Sequence, residues 1–562
     1  MTILAIDLGT TNSACAIWRD GEAVSIPNRL GDLLTPSVVG VDERGEILVG
    51  RAAKERLITH PSQTVAVFKR LMGTSHRVQV ARQEFTAVEL SSLVIKSLKE
   101  DAEAFLGYPV EQAIVSVPAY FNDNQRFATK KAGELAGLKV DRLVNEPTAA
   151  AMAYGLHEKK EGTFIIVDLG GGTLDVTVLE FFEGVMQVHS SSGDNFLGGE
   201  DFVDAMVEAA LSRAECRKSE LSAVELHQLQ MKMETVKRRI SGPAQKVSYL
   251  AAGKPQEITV DTEWFTKVVT PLLVRLQRPI ENALRDAGIP AREIDEVVLV
   301  GGSTKLAAVR SSVGKLFRRL PACSIDPDFA VVRGGAVQAG LADKDAALDD
   351  LVLTDVCPFT LGIDSVGMAD GQFFPVYSPI IERNATVPVS RVERFSTVED
   401  GQAEIRVRVF QGENRQTSKN VFLGSLNIPV PRNKAMKEAI DVRFSYDMNG
   451  ILDVDVTVIS NGKKYNKVIK NSPACLTEED IKKSLDRLCK LKFHPRDAEI
   501  NRSLLAKGER LYESSLGEER DMISQLMTQF EAVLDRQNDI EIAKARKAFQ
   551  EKLEQFDMEE WL

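Results

Sequence analysis

The sequence predicts an α/β protein of two related lobes, followed by an antiparallel β-domain and a helical end. Three observations predict it. A strand-then-glycine turn is written twice in the first 180 residues. Apolar runs alternate with amphipathic helical stretches as far as about residue 348, the α/β signature. Beyond Cys357 the hydrophobic period switches to two, and from Thr477 it switches again to a helical spacing.

The duplicated turn comes first. Asp7-Leu8-Gly9-Thr10-Thr11 follows the apolar run Ile3-Leu4-Ala5-Ile6, and Asp168-Leu169-Gly170-Gly171-Gly172-Thr173 follows Phe164-Ile165-Ile166-Val167. Each is a buried strand ending in a carboxylate, then glycines and hydroxyls at a tight turn. Strand-like sequence resumes at Ala14–Trp18 and Leu174–Leu179, so each copy is a hairpin. Backbone N–H groups of such a turn converge on an anion, threonine hydroxyls add donors, and the aspartate can hold a hydrated Mg²⁺. Written twice, this is a clamp on nucleotide phosphates. Val300-Gly301-Gly302-Ser303-Thr304 adds a third glycine turn, at a strand-to-helix junction. Neither a GxxxxGK[ST] loop nor a GxGxxG after a strand is present, which disfavours two common nucleotide folds.

Further elements follow in order. Ala113–Val117 and Val297–Val300 read as strands, and Gln125–Ala136 as a helix stopped by Gly137. Asp349-Asp350-Leu351-Val352-Leu353-Thr354-Asp355 is a short apolar segment fenced by acids, read as a linker that docks rather than a covered edge strand. In the β-domain, Glu404–Val409, Ala439–Phe444 and Leu452–Val456 alternate apolar and polar residues, with an Asn449-Gly450 hairpin turn between the last two. Thr477-Glu478-Glu479-Asp480 reads as a helix N-cap with an acidic first turn, leading to Ile481, Leu485 and Leu488. His494-Pro495 interrupts. Ile523, Met527, Phe530 and Leu534, then Ile542, Phe549, Leu553 and Phe556, form stripes expected to make a core of their own. The expected domains are 1–348, a linker at 349–356, the β-domain at 357–475 and the helical end at 476–562.

Composition narrows the function. With 562 residues the chain must hold several domains. A net charge of −11 speaks against a nucleic-acid or acidic-membrane surface. Six dispersed cysteines and six dispersed histidines lack metal-ligand spacing, so they read as reduced thiols and isolated rings. No apolar run approaches the ~20 residues that span a bilayer. With no basic leader before the first strand, a cytoplasmic protein is the expectation.

The duplicated architecture is shared by actin, sugar kinases and the 70-kilodalton heat-shock chaperones. The motifs Ile6–Ser13, Val144-Asn145-Glu146-Pro147-Thr148-Ala149-Ala150-Ala151, Val167–Asp175 and Leu197-Gly198-Gly199-Glu200-Asp201-Phe202 resemble those of the chaperone family. So do Glu382-Arg383-Asn384-Ala385-Thr386-Val387-Pro388 and Val409-Phe410-Gln411-Gly412-Glu413, which no kinase or actin would carry. The likeness covers nearly the whole chain and is nearest to the short, specialised HscC branch of the DnaK type.

The resemblance implies an actin-like two-lobed ATPase domain, a β-sandwich that binds peptide and a small helical lid. It implies ATP/ADP and Mg²⁺ as cofactors, with K⁺ as a further cation. Asp7 and Asp168 would hold the metal through water. Gly9, Thr10, Thr11 and Gly170 to Thr173 would hold the phosphates, and Thr173 also serves the reaction. Lys69 would place the attacking water, with Glu146 and Asp175 as further carboxylates. Glu234, Lys237, Arg238 and Ser241 match the adenosine helix; Gly301, Gly302, Ser303, Lys305 and Asp328 would complete the base site. Lys305 stands where the family usually has arginine, and a lysine cannot stack a planar fork on adenine. Pro118 and Arg126 resemble the nucleotide-sensing switch pair, Arg142 the contact for a J-domain co-chaperone, and Asp355 the relay in the linker. Leu361, Ile363, Val366, Phe395, Val398, Ile405 and Val407 align with the groove for an extended peptide.

Departures are also visible. The stretch from Met72 to Leu90, that from Phe202 to Glu234 and the hairpin after Ser241 are trimmed relative to DnaK, in the lobe on which exchange factors act. Release of nucleotide without such a factor is therefore expected. The short helical end implies a less enclosed groove. Val366 and Val398 are stiffer than the methionine and alanine that arch over the peptide in DnaK, which implies a narrower client range. An ATP-dependent chaperone for unfolded or specific clients is the reading. A dedicated regulatory chaperone for one partner is the alternative, and a kinase-like ATPase on the same nucleotide fold is the more distant rival.

Overall fold

The computed structural model describes residues 2–154, 161–182, 185–322, 325–343, 352–369, 372–446, 452–469, 496–515, 517–535 and 539–559. The start of the linker, the Asn449-Gly450 turn, the Thr477 cap with its helix, and His494-Pro495 lie outside these residues.

Both glycine turns are hairpin tips, and the two lobes repeat one topology. In lobe I, Ile3–Asp7 pairs antiparallel with Asn12–Arg19, which pairs with Glu22–Ile26. On its other side Ile3–Asp7 runs parallel to Gln112–Val117, and that strand to Lys139–Asn145. In lobe II, Gly162–Leu169 pairs antiparallel with Leu174–Phe182, then Val185–Asp194, and runs parallel to Glu296–Val300. The central strands are buried on both faces, as their near-continuous Ile/Leu/Val runs require.

Helices follow the local signals. Asp123–Leu135 starts two residues earlier than the pattern suggests, because Asn122 and Gln125 form a capping box, and Gly137 follows it at φ +78. Glu146–Ala153 and Ala330–Ala342 cross between the two sheets. They are too uniformly buried to show amphipathic periodicity, and a Cβ at Gly334 would strike the Ala149 carbonyl. This crossing joins the lobes at their base.

The linker segment is both strand and docked element. Val352–Val356 adds to lobe II as an edge strand, parallel to Val185–Gln187. Its far end pairs antiparallel with Thr386–Val387 of the β-domain, so one sheet runs from lobe II into the next domain. The β-domain itself is two four-stranded antiparallel sheets. Leu361–Ala369 and Glu404–Gln411 pair only over Leu361–Ile363. The sheets pack around Phe444, Val454, Val456 and Ile428.

The β-domain rests on the lobes through polar contacts. Tyr446 Oη donates to Asp123 at 3.0 Å, and the Asp123 N–H donates to Gln411 at 3.0 Å. Arg383 and Asn384 both reach Asp286, at 3.0 and 3.1 Å. The rings of Tyr120 and Phe359 stand 4.5 Å apart.

At the end of the chain, helices Arg496–Ser514, Gly517–Asp535 and Asp539–Glu559 enclose Leu511, Ile523, Phe530, Phe549, Leu553 and Phe556, the self-contained core expected of the stripes. Expected as a cover for the peptide groove, this unit instead packs on lobe I against helix Arg51–Thr59. Arg510 bonds Glu55 at 2.8 Å there, and Arg56 faces Glu509 at 3.9 Å. These ion pairs hold it on the lobe.

Candidate nucleotide site

Between the lobes lies a cleft of about 370 Å³, walled by both hairpin tips. Asp7, Gly9, Thr10 and Thr11 line one side; Asp168, Gly170, Gly171 and Thr173 line the other. The tips approach so closely that a Cβ on Gly171 would collide with Thr11, and one on Gly172 would sit 2.6 Å from Thr10 Oγ1. Gly301 closes the floor at φ +81, where a Cβ would lie 2.6 Å from Asp168 Oδ1. Glycine is required there for both conformation and space.

The second tip is anchored from behind. The Gly170 carbonyl accepts from Gly199 N at 2.9 Å and Ser303 Oγ at 2.8 Å, and the Gly171 carbonyl from Glu200 N at 2.9 Å. Gly199 and Glu200 open helix Gly199–Arg213, so a helix N-terminus backs the loop. In the first tip, Ser37 Oγ donates to the Gly9 carbonyl at 2.8 Å.

Four carboxylates converge below the tips. Burial, then the neighbouring Glu146, raises Asp7 to about 6 and Asp175 to about 7. The same two causes raise Asp168 well above the carboxylate range, with Asp175 and Asp7 adding repulsion. Ser116 donates to Asp7 at 2.8 Å and the Tyr120 N–H to Asp175 at 2.9 Å, while Asp175 Oδ2 is buried without a hydrogen bond. Lys69, 3% exposed, donates to Glu146 at 2.9 Å and offsets the cluster's charge, and Arg126 acts on Asp175 in the same sense. Such crowding of buried carboxylates fits a hydrated divalent cation, with Asp7 and Asp168 facing the cleft to hold it. The cation, when bound, would screen phosphate charge, and the residues of the two tips would orient donors around the phosphates.

At the outer end, Glu234, Lys237 and Arg238 face Gly301, Gly302, Ser303, Lys305 and Asp328 across the cleft. Lys237 donates to the Gly199 carbonyl at 2.8 Å and pairs with Glu234 at 2.5 Å. Lys305 is held by Asp326 and Asp328 at 2.7 and 2.6 Å. Ser241 is not brought to the wall: helix Ala223–Arg238 has ended and the chain turns outward, leaving Ser241 exposed. Sequence reasoning did not single out Gly199 and Glu200 as lining residues, although the Gly198-Gly199 pair at a helix start signals close approach. It also passed over Arg70, which no local pattern marks.

Behind the cleft a polar chain leads out. Arg126 donates to the Phe121 and Ala119 carbonyls, both at 3.0 Å, and to Asn145 Oδ1 at 2.7 Å. Asn145 Nδ2 donates to Asp355 in the linker strand at 2.6 Å. Pro118 is buried at the head of this turn and accepts the Phe121 N–H at 3.1 Å. Arg142 donates to Gln338 at 3.3 Å. Burial raises the Asp355 carboxyl.

Of the peptide-groove candidates, Leu361, Ile363 and Val407 are 0, 3 and 0% exposed and fill the sandwich core, so a ligand reaches them only if strands part. Ile405 and Phe395 are partly buried against that core, Val398 is half-buried, and Val366 is exposed.

The Hsp70 protein family matches residues 3–561. DnaK chaperone proteins of Thermotoga neapolitana, Thermotoga petrophila and Thermotoga maritima are each 41% identical to the chain over 516 residues, covering 86% of it and 83% of theirs. A two-lobed nucleotide cleft, a β-sandwich joined through a docked strand and a match along nearly the entire length lead to one conclusion: the chain belongs to the Hsp70 family of ATP-hydrolysing chaperones.

Proposed function

We propose that ATP hydrolysis in the cleft sets the affinity of the β-domain for extended apolar peptide segments, with Asp355 as the relay. The observation that carries this reading is the unbroken path from the cleft-side turn to the linker: Arg126 to Asn145 at 2.7 Å, then Asn145 to Asp355 at 2.6 Å. Asp355 lies on the strand that joins the lobe II sheet to the β-domain, so a shift of the Pro118–Arg126 turn reaches the linker without crossing solvent. Coupling of this kind is reciprocal in binding free energy.

Within that reading, Lys69 places the attacking water, Thr173 and the glycine tips bind phosphate, Asp7 and Asp168 hold Mg²⁺ through water, and K⁺ serves as a further cation. Glu234, Lys237 and Arg238 hold the adenosine; Lys305, tied down by two aspartates, contributes charge rather than stacking. Peptide binds where Leu361–Ala369 and Glu404–Gln411 diverge beyond Ile363, with Val366 already at the surface. A J-domain partner engages near Arg142, nucleotide leaves without a dedicated exchange factor, and the protein works in the cytoplasm on a narrow set of clients, as in the HscC branch.

Steady-state ATP turnover with and without a panel of extended apolar peptides tests the reading. Stimulation by several peptides is expected. Indifference to every peptide would refute the coupling.

A further inference from the structure

Each carbonyl of the second glycine tip is held by a partner. Two of the three are held from within lobe II: Gly170 by Gly199 N and Ser303, Gly171 by Glu200 N. The third is not. The Gly172 carbonyl accepts from Arg70 Nε at 3.1 Å and Nη2 at 3.0 Å, and Arg70 belongs to lobe I, in the short turn Phe68–Leu71. The same guanidinium bonds Asp201, whose Oδ2 also accepts the Gly198 N–H at 2.7 Å and so caps helix Gly199–Arg213.

In a trans peptide unit the C=O and the following N–H point in opposite directions. Holding the Gly172 carbonyl outward therefore aims the Thr173 N–H the other way, toward the cleft that Thr173 lines. No backbone group among the described residues accepts from that N–H. It is thus a free donor of the kind that stabilises charge building on a phosphoryl oxygen.

We propose that Arg70 is a positioning residue for ATP hydrolysis: reaching across the lobes, it orients the Gly172–Thr173 peptide so that its N–H meets the terminal phosphate only when the lobes close. The proposal rests on reading Gly170–Thr173 as the phosphate loop. Arg70 neighbours Lys69 in the same turn, so one rigid element of lobe I sets both Lys69 and the opposing donor. The bond also needs a planar fork. Two nitrogens go to one carbonyl while the guanidinium spans to Asp201, a geometry that a lysine cannot reproduce.

The test uses the full-length protein with Arg70→Ala and Arg70→Lys. Single-turnover hydrolysis, ATP affinity and melting temperature are measured for each. Removing one preorganised donor typically lowers a rate by about 10²-fold or more, so Arg70→Ala is expected to slow hydrolysis on that order with ATP affinity changed less than about threefold. Arg70→Lys is expected to stay slow although its charge is kept. Millimolar guanidinium is expected to restore part of the Arg70→Ala rate, which a lost fold would not allow. Normal hydrolysis in either variant would overturn the proposal, as would a loss explained wholly by weaker ATP binding. Gly171→Ala separates the premise: its methyl would collide with Thr11, and unchanged ATP affinity would show that the tip is not the phosphate loop, whatever Arg70 does.

Discussion

Replacing Asp175 by asparagine is predicted to stabilise the nucleotide-free protein while slowing its chemistry. Burial first, and Glu146 second, lift this carboxyl from 3.8 to about 7. A native pKa above the unfolded one means that the native state holds the extra proton between the two values, so stability falls as pH rises through that window. Above the native value the full penalty applies. Three units at about 1.4 kcal/mol each give about 4 kcal/mol at pH 8 and about 1.5 kcal/mol at pH 5. Asparagine removes the penalty and keeps an oxygen for the Tyr120 N–H, at 2.9 Å in the native protein. Its amide then occupies the place of Oδ2, which has no partner, at a cost of about 2 kcal/mol. The expected gain is about 2 kcal/mol at pH 8 and close to none at pH 5. Urea unfolding of nucleotide- and metal-free protein at both pH values, followed by Trp18 and Trp264 in the lobes, measures it. Destabilisation at pH 8, or an equal change at both pH values, would refute the electrostatic account.

Three further outcomes are expected. Lys69→Ala should cut hydrolysis by roughly 10²-fold or more while ATP still binds. It also strands buried Glu146, so a thermal melt should register about 3 kcal/mol of lost stability that Lys69→Ala with Glu146→Gln largely recovers. Asp355→Asn should leave unstimulated turnover near the wild-type rate and abolish its response to peptide, since the relay loses its charge; a stimulation assay decides. Gly334→Ala drives a methyl into the Ala149 carbonyl where two helices cross, and differential scanning calorimetry should show a loss of about 3 kcal/mol in the lobes.

The elements that the sequence made legible were those with a strong period or a chemical signature. Both Asp-Leu-Gly turns are hairpin tips in the structure, and the alternation in Glu404–Gln411, Ala439–Tyr446 and Leu452–Val458 reads out as strands in two sheets. Helices Glu146–Ala153 and Ala330–Ala342 could not be placed this way, because alanine and glycine on every face leave no amphipathic stripe. Val352–Val356 was ambiguous between strand and docking linker for a physical reason: a linker that docks on a sheet edge becomes a strand. The motif residues that line the cleft were legible because their types are chemically constrained. Arg70 was not, since its role depends on a carbonyl more than a hundred positions away. Ser241 lay in a matched motif, yet its helix ends three residues earlier and leaves it in the turn beyond. Leu361 and Val407 show the reverse limit: an alternating strand does not say whether its apolar face meets a ligand or another sheet.

The strand Val352–Val356 has a consequence for solvent access. While it is seated, the backbone groups of Val185–Gln187 are paired on that side, and lobe II presents no edge there. When it leaves, a row of unsatisfied N–H and C=O groups opens beside two apolar side chains, the kind of edge that recruits a stray strand. Those amide hydrogens of Val185–Gln187 that point toward the linker, rather than toward Leu174–Phe182 on the other side, therefore exchange at a rate set by how often the linker departs. Their protection is a direct clock for undocking, readable on the intact protein without a label or a client.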